Sequence, residues 1–142
     1  MKEYPWGKGT VNLVYDSTAN DSDKSFTVPV GKVWQLLWVR YRISTTATVG
    51  NRIMAVYITN GVNNIASGTV SAVIAASKVG VGMYGFGVGL GTTSMNADVS
   101  TEGPLPLMYL PAGTVIRIYD IAAMDATGDD LEVTLNYVEY DA

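Results

Sequence analysis

The stretch Lys32-Val33-Trp34-Gln35-Leu36-Leu37-Trp38-Val39-Arg40-Tyr41-Arg42-Ile43-Ser44 decides the fold. Side chains alternate with period 2 along a strand, so Val33, Leu37, Val39, Tyr41 and Ile43 line one face. The other face carries Trp34, Leu36 and Trp38, then Arg40 and Arg42. Half of the strand is thus apolar on both sides, more than one buried face of a sandwich requires.

The same period runs outward in both directions. Upstream, Val11, Leu13 and Tyr15 alternate with Asn12, Val14 and Asp16. Asn20-Asp21-Ser22-Asp23 reads as a turn, and Phe26 and Val28 then alternate with Ser25 and Thr27. Downstream, residues 45–50 read as a loop, residues 51–59 as a strand and Asn60-Gly61 as a two-residue hairpin turn. Val70, Ala72 and Ile74 suggest another strand. Residues 79–91 alternate apolar side chains with glycine, and the phase slips between Met83 and Tyr84 as a β-bulge requires. Residues 105–110, 114–121 and 131–140 complete eight to nine strands at hairpin spacing, the pattern of an all-β sandwich or barrel. Leu37, Val39, Ile43, Ile118, Val133 and Leu135 are the expected core. Residues 1–9 are expected to form an arm ahead of a single domain spanning residues 10–142. Val28-Pro29-Val30-Gly31-Lys32-Val33 and Leu110-Pro111-Ala112-Gly113-Thr114-Val115 share the pattern apolar-Pro-x-Gly-x-Val. In each, Pro is expected second and Gly fourth in a turn that launches a strand, which suits a chain that changes sheet twice.

Composition removes whole classes of function. The 142 residues include no cysteine and no histidine. Disulfides, thiolate or imidazole metal sites, Ser-His-Asp triads and histidine acid–base chemistry are therefore excluded. No local motif flags a carboxylate pair for glycoside hydrolysis, and no enzymatic activity and no cofactor is expected. The net charge is −4, with no Lys or Arg after Arg117, whereas a nucleic-acid binder needs clustered cations. No apolar run reaches membrane-spanning length, and Met1-Lys2-Glu3-Tyr4-Pro5-Trp6-Gly7 has no apolar signal core, so neither nucleic acid nor membrane is an expected partner. Synthesis in the cytoplasm is the corresponding expectation. Only 15% of residues are charged and mean hydropathy is +0.19. A compact Gly-, Ala- and Val-rich β domain accounts for this, as does a surface partly covered by other subunits.

Several stretches resemble a set of small bacteriophage virion proteins. They are Val28-Pro29-Val30-Gly31-Lys32-Val33-Trp34, Ile43-Ser44-Thr45-Thr46-Ala47-Thr48-Val49-Gly50-Asn51-Arg52, Leu105-Pro106-Leu107, Leu110-Pro111-Ala112-Gly113 and Val115-Ile116-Arg117-Ile118-Tyr119-Asp120. Gly128-Asp129-Asp130-Leu131 then leads into the closing strand, so the resemblance spans roughly residues 28–140, and Thr-Ala-Thr-Val-Gly-Asn-Arg is its most particular element. The family is that of jelly-roll head decoration, or cement, proteins. The resemblance implies an antiparallel β-sandwich of jelly-roll type and a homotrimer on the outer capsid surface of a virion. Its partner there is the major capsid protein, whose shell it reinforces without catalysis. Related jelly rolls in head fibres and tails make a carbohydrate- or receptor-binding module the alternative.

The candidate interface residues are Tyr4, Trp6, Trp34, Trp38, Arg40, Arg42 and Arg52. Tyr4 and Trp6 offer an aromatic anchor in the arm, against a simple chain end. Trp34 and Trp38 share one side of a strand and serve either the core or an inter-subunit seam, with a sugar platform as a third reading. Arg40, Arg42, Arg52 and Arg117 pair with local carboxylates or, clustered on one sheet, dock an acidic surface. Asp125, Asp129 and Asp130 flank Ala126-Thr127-Gly128 and could bind calcium, though the spacing is not that of an EF-hand and Asp and Gly are ordinary turn residues.

Overall fold

The computed structural model describes residues 8–69, 73–95 and 98–142. Eleven strands form two sheets, with no helix among the described residues. They are β1 (Thr10–Asp16), β2 (Asp23–Thr27), β3 (Lys32–Ser44), β4 (Met54–Thr59), β5 (Asn64–Thr69), β6 (Val79–Gly85), β7 (Gly91–Met95), β8 (Asp98–Pro104), β9 (Tyr109–Pro111), β10 (Val115–Asp120) and β11 (Asp130–Asp141). The larger sheet runs β1-β11-β3-β6-β8-β7, with β9 also on β3, and the smaller runs β2-β10-β4-β5.

Eight of these strands make one long antiparallel ribbon rolled into a sandwich. β4 pairs with β5, β3 with β6, β2 with β10 and β1 with β11. Both arms cross together between sheets, which is the double-sheet jelly roll the sequence resemblance implies. β7, β8 and β9 are an insertion between β6 and β10, which explains why the count exceeds eight to nine. One pairing departs from the antiparallel expectation: β8 slots between β6 and β7 and runs parallel to β6.

The repeated apolar-Pro-x-Gly-x-Val stretches are those crossings. Lys32 N donates to Pro29 O at 3.2 Å and Thr114 N to Pro111 O at 3.1 Å. Pro is therefore first and Gly third in each turn, one place earlier than expected. Gly31 and Gly113 take φ of 76° and 83°, which L side chains resist. Val28 N donates to Thr114 O and Gly113 N to Val28 O, both at 2.9 Å, so the two turns lock together. One carries the chain from the smaller sheet to the larger, and the other carries it back.

Strand β3 holds the main correction. Leu36 lies opposite Tyr137 and Trp38 opposite Asn136, so Leu37 is an extra residue at a bulge. The inward face shifts there from Trp34 and Leu36 to Val39, Tyr41 and Ile43, all buried. Two-sided apolarity was thus one inward face that changes parity. Leu37 is only half-buried, while Val39, Ile43, Ile118, Val133 and Leu135 are core as expected. No bulge interrupts β6: Val79, Val81 and Met83 point out, Gly80, Gly82 and Tyr84 point in, and the strand stops at Gly85. Of the expected strand near Val70, residues 70–72 lie outside the described residues, and Ile74 forms an isolated bridge with Arg52. The β4–β5 loop takes residues 60–63 rather than two, because Asn60 Oδ1 accepts from both Val62 N and Asn63 N.

Candidate docking surface

The outward residues of the larger sheet form rows fixed by the register. One row runs Tyr15, Thr134, Arg40, Met83, Glu102. The next runs Leu13, Asn136, Trp38, Gly85, and below it lie Val11, Val138, Gln35 and Tyr109. Val11, Leu13 and Tyr15 are 66%, 60% and 57% exposed, large values for three apolar side chains in one line. Trp38 is half-buried on this face, seated against bare Gly85, where an added Cβ would come 2.7 Å from Leu37 O and 3.0 Å from Trp38 Cα. Only glycine allows that backbone approach.

Arg40 stands between two hollows of this face. One, of about 270 Å³, is lined by Tyr15, Arg42, Glu132 and Thr134 with Arg40. The other, about 180 Å³, lies among Arg40, Val81, Met83, Ser100 and Glu102. Arg42 Nη1 donates to Glu132 Oε1 at 3.2 Å, and the Tyr15 hydroxyl donates to Glu132 Oε2 at 3.1 Å. Among the described residues Arg40 has no carboxylate within 4 Å, whereas Arg42, Arg52 and Arg117 each hold one.

The other candidates go elsewhere. Trp34 is inward, stacked on Tyr137 at 3.9 Å between centroids, with Nε1 donating to Glu139 Oε2 at 2.8 Å. The bulge thus separates it from Trp38, with which it was expected to share a side. Arg52 is fully buried, as is its partner Asp129. Its Nε and Nη2 grip Asp129 Oδ2 and Oδ1 at 2.7 and 3.1 Å, and Nη1 donates to Thr48 O and Gly50 O at 2.8 and 2.9 Å. A contact from Nη2 to Thr46 Oγ1 at 3.4 Å engages the fifth donor. Trp34 and Arg52 are therefore taken up inside the domain and leave the candidate surface. Tyr4 and Trp6 lie outside the described residues.

The three aspartates considered for calcium have separate tasks. Asp129 holds Arg52 and also accepts from Thr46 N at 2.8 Å, and Asp130 Oδ1 accepts from Asn20 N at 2.6 Å. Asp125 Oδ2 accepts from Thr46 and Thr48 hydroxyls at 2.6 and 2.8 Å, and those bonds hold its carboxyl below the usual range. Among the described residues no three acidic groups converge to hold a metal. The Thr-Ala-Thr-Val-Gly-Asn-Arg stretch is thus a structural fastener. Thr46, Thr48 and Arg52 tie the β3–β4 connection to the Asp125–Asp129 turn, and the Thr48 and Gly50 carbonyls hold the Arg52 guanidinium in place.

Arg117 lies on the opposite sheet. Its guanidinium bonds Asp23 through both carboxylate oxygens and sits 4.0 Å over the Tyr119 ring, and the Asp23 contact raises its pKa. Tyr57 and Tyr119, 5.5 Å apart, share that outer face with Ser25, Thr27 and Ser67. The two faces thus differ: the smaller sheet's outer face carries Arg117 paired to Asp23, whereas the larger sheet's mixes exposed Val11, Leu13 and Tyr15 with the Arg42–Glu132 pair and with Arg40, which among the described residues has no carboxylate within 4 Å.

No family model matches the chain, and neither does any curated protein sequence. Among solved structures, one described as "Structure of infectious bursal disease virus Gx strain" aligns with 93% of this chain at 10% identity and a TM-score of 0.30. This chain spans 38% of that one, and a likeness of that degree carries no inference about function. No helix among the described residues is long and apolar enough to cross a membrane.

Proposed function

We propose that the chain is a non-catalytic structural subunit of a bacteriophage virion, seated on the outside of the major capsid shell through the outer face of its larger sheet. The observation that carries this is the row structure around Trp38 and Arg40. Arg, Trp, Tyr and Met are enriched in interface cores, where Lys and Glu are depleted. Here Trp38 and Met83 lie next to Arg40, Tyr15 lines a hollow with it and Leu13 lies in the row of Trp38, and among the described residues Arg40 is the arginine with no carboxylate within 4 Å. A capsid surface bringing a carboxylate to Arg40 and apolar side chains to Leu13 and Trp38 fits both features. The sequence resemblance supports the same reading and adds association between copies of the chain.

Arg40→Glu tests it, because Arg40 is exposed, has no ion pair among the described residues, and its replacement leaves the core untouched. Binding to purified, emptied heads of the encoding phage should fall at least tenfold, while Arg117→Glu on the other sheet should bind like the wild type. Equal binding by Arg40→Glu and the wild type would move the docking site elsewhere.

A second reading is favoured by Tyr57 and Tyr119 on the polar sheet face. Aromatic rings beside fixed hydrogen-bonding groups suit a saccharide. Retention on immobilised glycans that is lost in Tyr57→Ala would support it over the first.

A further inference from the structure

Sheet edges invite pairing with another chain, and proteins blunt them with short strands, inward charges, glycine or bulges. Of the five edges among the described residues, β9 is only three residues long and ends on Pro111, and three more carry such devices. β2 has five residues and turns Lys24 inward, where it is buried against Asp16 and Asp21. β5 contains Gly68 and breaks register against Ile58/Thr59. β7 has only five residues and begins with Gly91. β1 carries none. Its seven residues, Thr10-Val11-Asn12-Leu13-Val14-Tyr15-Asp16, include no Pro, Gly, Lys or Glu, and the pairing to β11 is unbroken. Among the described residues no strand lies on its other side.

We propose that β1 is the seam along which two copies of this chain join, edge to edge and antiparallel, about a two-fold axis at Leu13. The occupant is a second copy because the strand is complementary to itself. Reversed about Leu13, the outward set Val11, Leu13, Tyr15 reads Tyr15, Leu13, Val11. Leu13 then meets Leu13 of the other copy, and each Val11 meets a Tyr15, a β-branched–aromatic pair of the kind that stabilises sheets. The only charge, Asp16, falls at the strand end opposite Thr10 of the other copy. The pairing buries the exposed line of Val11, Leu13 and Tyr15 at its flank and joins two larger sheets into one. It is isologous, so it closes at two copies and does not propagate. It goes beyond the docking reading and stands without it, since copies join whether or not they meet a shell.

Light scattering across a concentration series tests the seam on the full chain alone. The wild type should reach twice the chain mass of 15.2 kDa. Leu13→Lys places a charge on an already exposed position. It should weaken association at least tenfold and leave a folded monomer, as judged by an unchanged far-ultraviolet spectrum. Leu13→Cys gives an independent readout in a chain without cysteine. Directly opposed Cα atoms lie about 4.5–5.5 Å apart, within disulfide reach, so mild oxidation should give a covalent dimer. A wild type that stays monomeric, a trimer mass, or a dimer that survives Leu13→Lys and fails to cross-link would overturn the proposal.

Discussion

Removing the Asp129 carboxylate tests the fastener most sharply. Asp129→Ala deletes two bonds from Arg52, at 2.7 and 3.1 Å, and one from Thr46 N at 2.8 Å, all to a group with 0% exposure. It leaves a guanidinium inside the domain that keeps only neutral acceptors, the Thr48 and Gly50 carbonyls and the Thr46 hydroxyl. Hydrogen bonds to charged groups contribute about 1.5–3 kcal/mol each but do not add, and breaking a buried ion pair costs about 3–5 kcal/mol. The expected loss is therefore about 3–5 kcal/mol. At roughly 2–4 °C per kcal/mol for a domain near this size, Tm should fall by roughly 6–20 °C. Equilibrium urea unfolding, followed through tryptophan fluorescence, to which the buried Trp34 contributes, measures it. The double variant Arg52→Met/Asp129→Leu should recover a large part of the loss, because replacing both charges removes the uncompensated one. A loss below about 1 kcal/mol in Asp129→Ala would refute the claim that this pair fastens the loop.

Two further predictions concern stability. Asp16 is held below its usual pKa chiefly by the Thr18 backbone N–H, Asp125 by the Thr46 and Thr48 hydroxyls, and Asp141 by Lys32. Depressed carboxylates stabilise the folded state above their unfolded pKa of about 4 and lose that contribution as pH falls through the lower folded values. Tm should hold near neutral pH and decline below about pH 4, and a flat profile down to pH 2.5 or so would contradict it. Gly85→Ala should cost about 1–3 kcal/mol, since its methyl would strike Leu37 O and Trp38 Cα, backbone atoms that no rotamer change can move. An unchanged urea midpoint would show that β6 and the bulge can spread apart.

Much of the fold was legible because alternation survives wherever one face is buried. β1, β2, β10 and β11 read directly, and the Pro-x-Gly repeat marked the two sheet crossings. What failed were places where local pattern and tertiary partner disagree. Leu36-Leu37-Trp38 is apolar on every position, so nothing local marks Leu37 as the bulged residue, and Trp34 and Trp38 were put on one side. β5 and β8 are polar and glycine-containing, and they pair because neighbouring strands offer them an edge. Arg52 looked like an exposed strand cation because its partner lies 77 residues away. The signal existed, in Gly50-Asn51-Arg52 and Gly128-Asp129-Asp130, but only the fold brings the two together. Arg40 was legible as a strand cation, whereas the absence of a carboxylate beside it among the described residues could be seen only once the strands were paired.

The most direct measurement of the docking claim is a binding isotherm of the wild-type chain on purified, emptied heads, with bound copies counted per head. Saturation at a fixed copy number, with Arg40→Glu failing to saturate over the same range, is the expected result. Binding that rises without limit, or that is equal for both proteins, would contradict a specific seat for the larger sheet on a capsid.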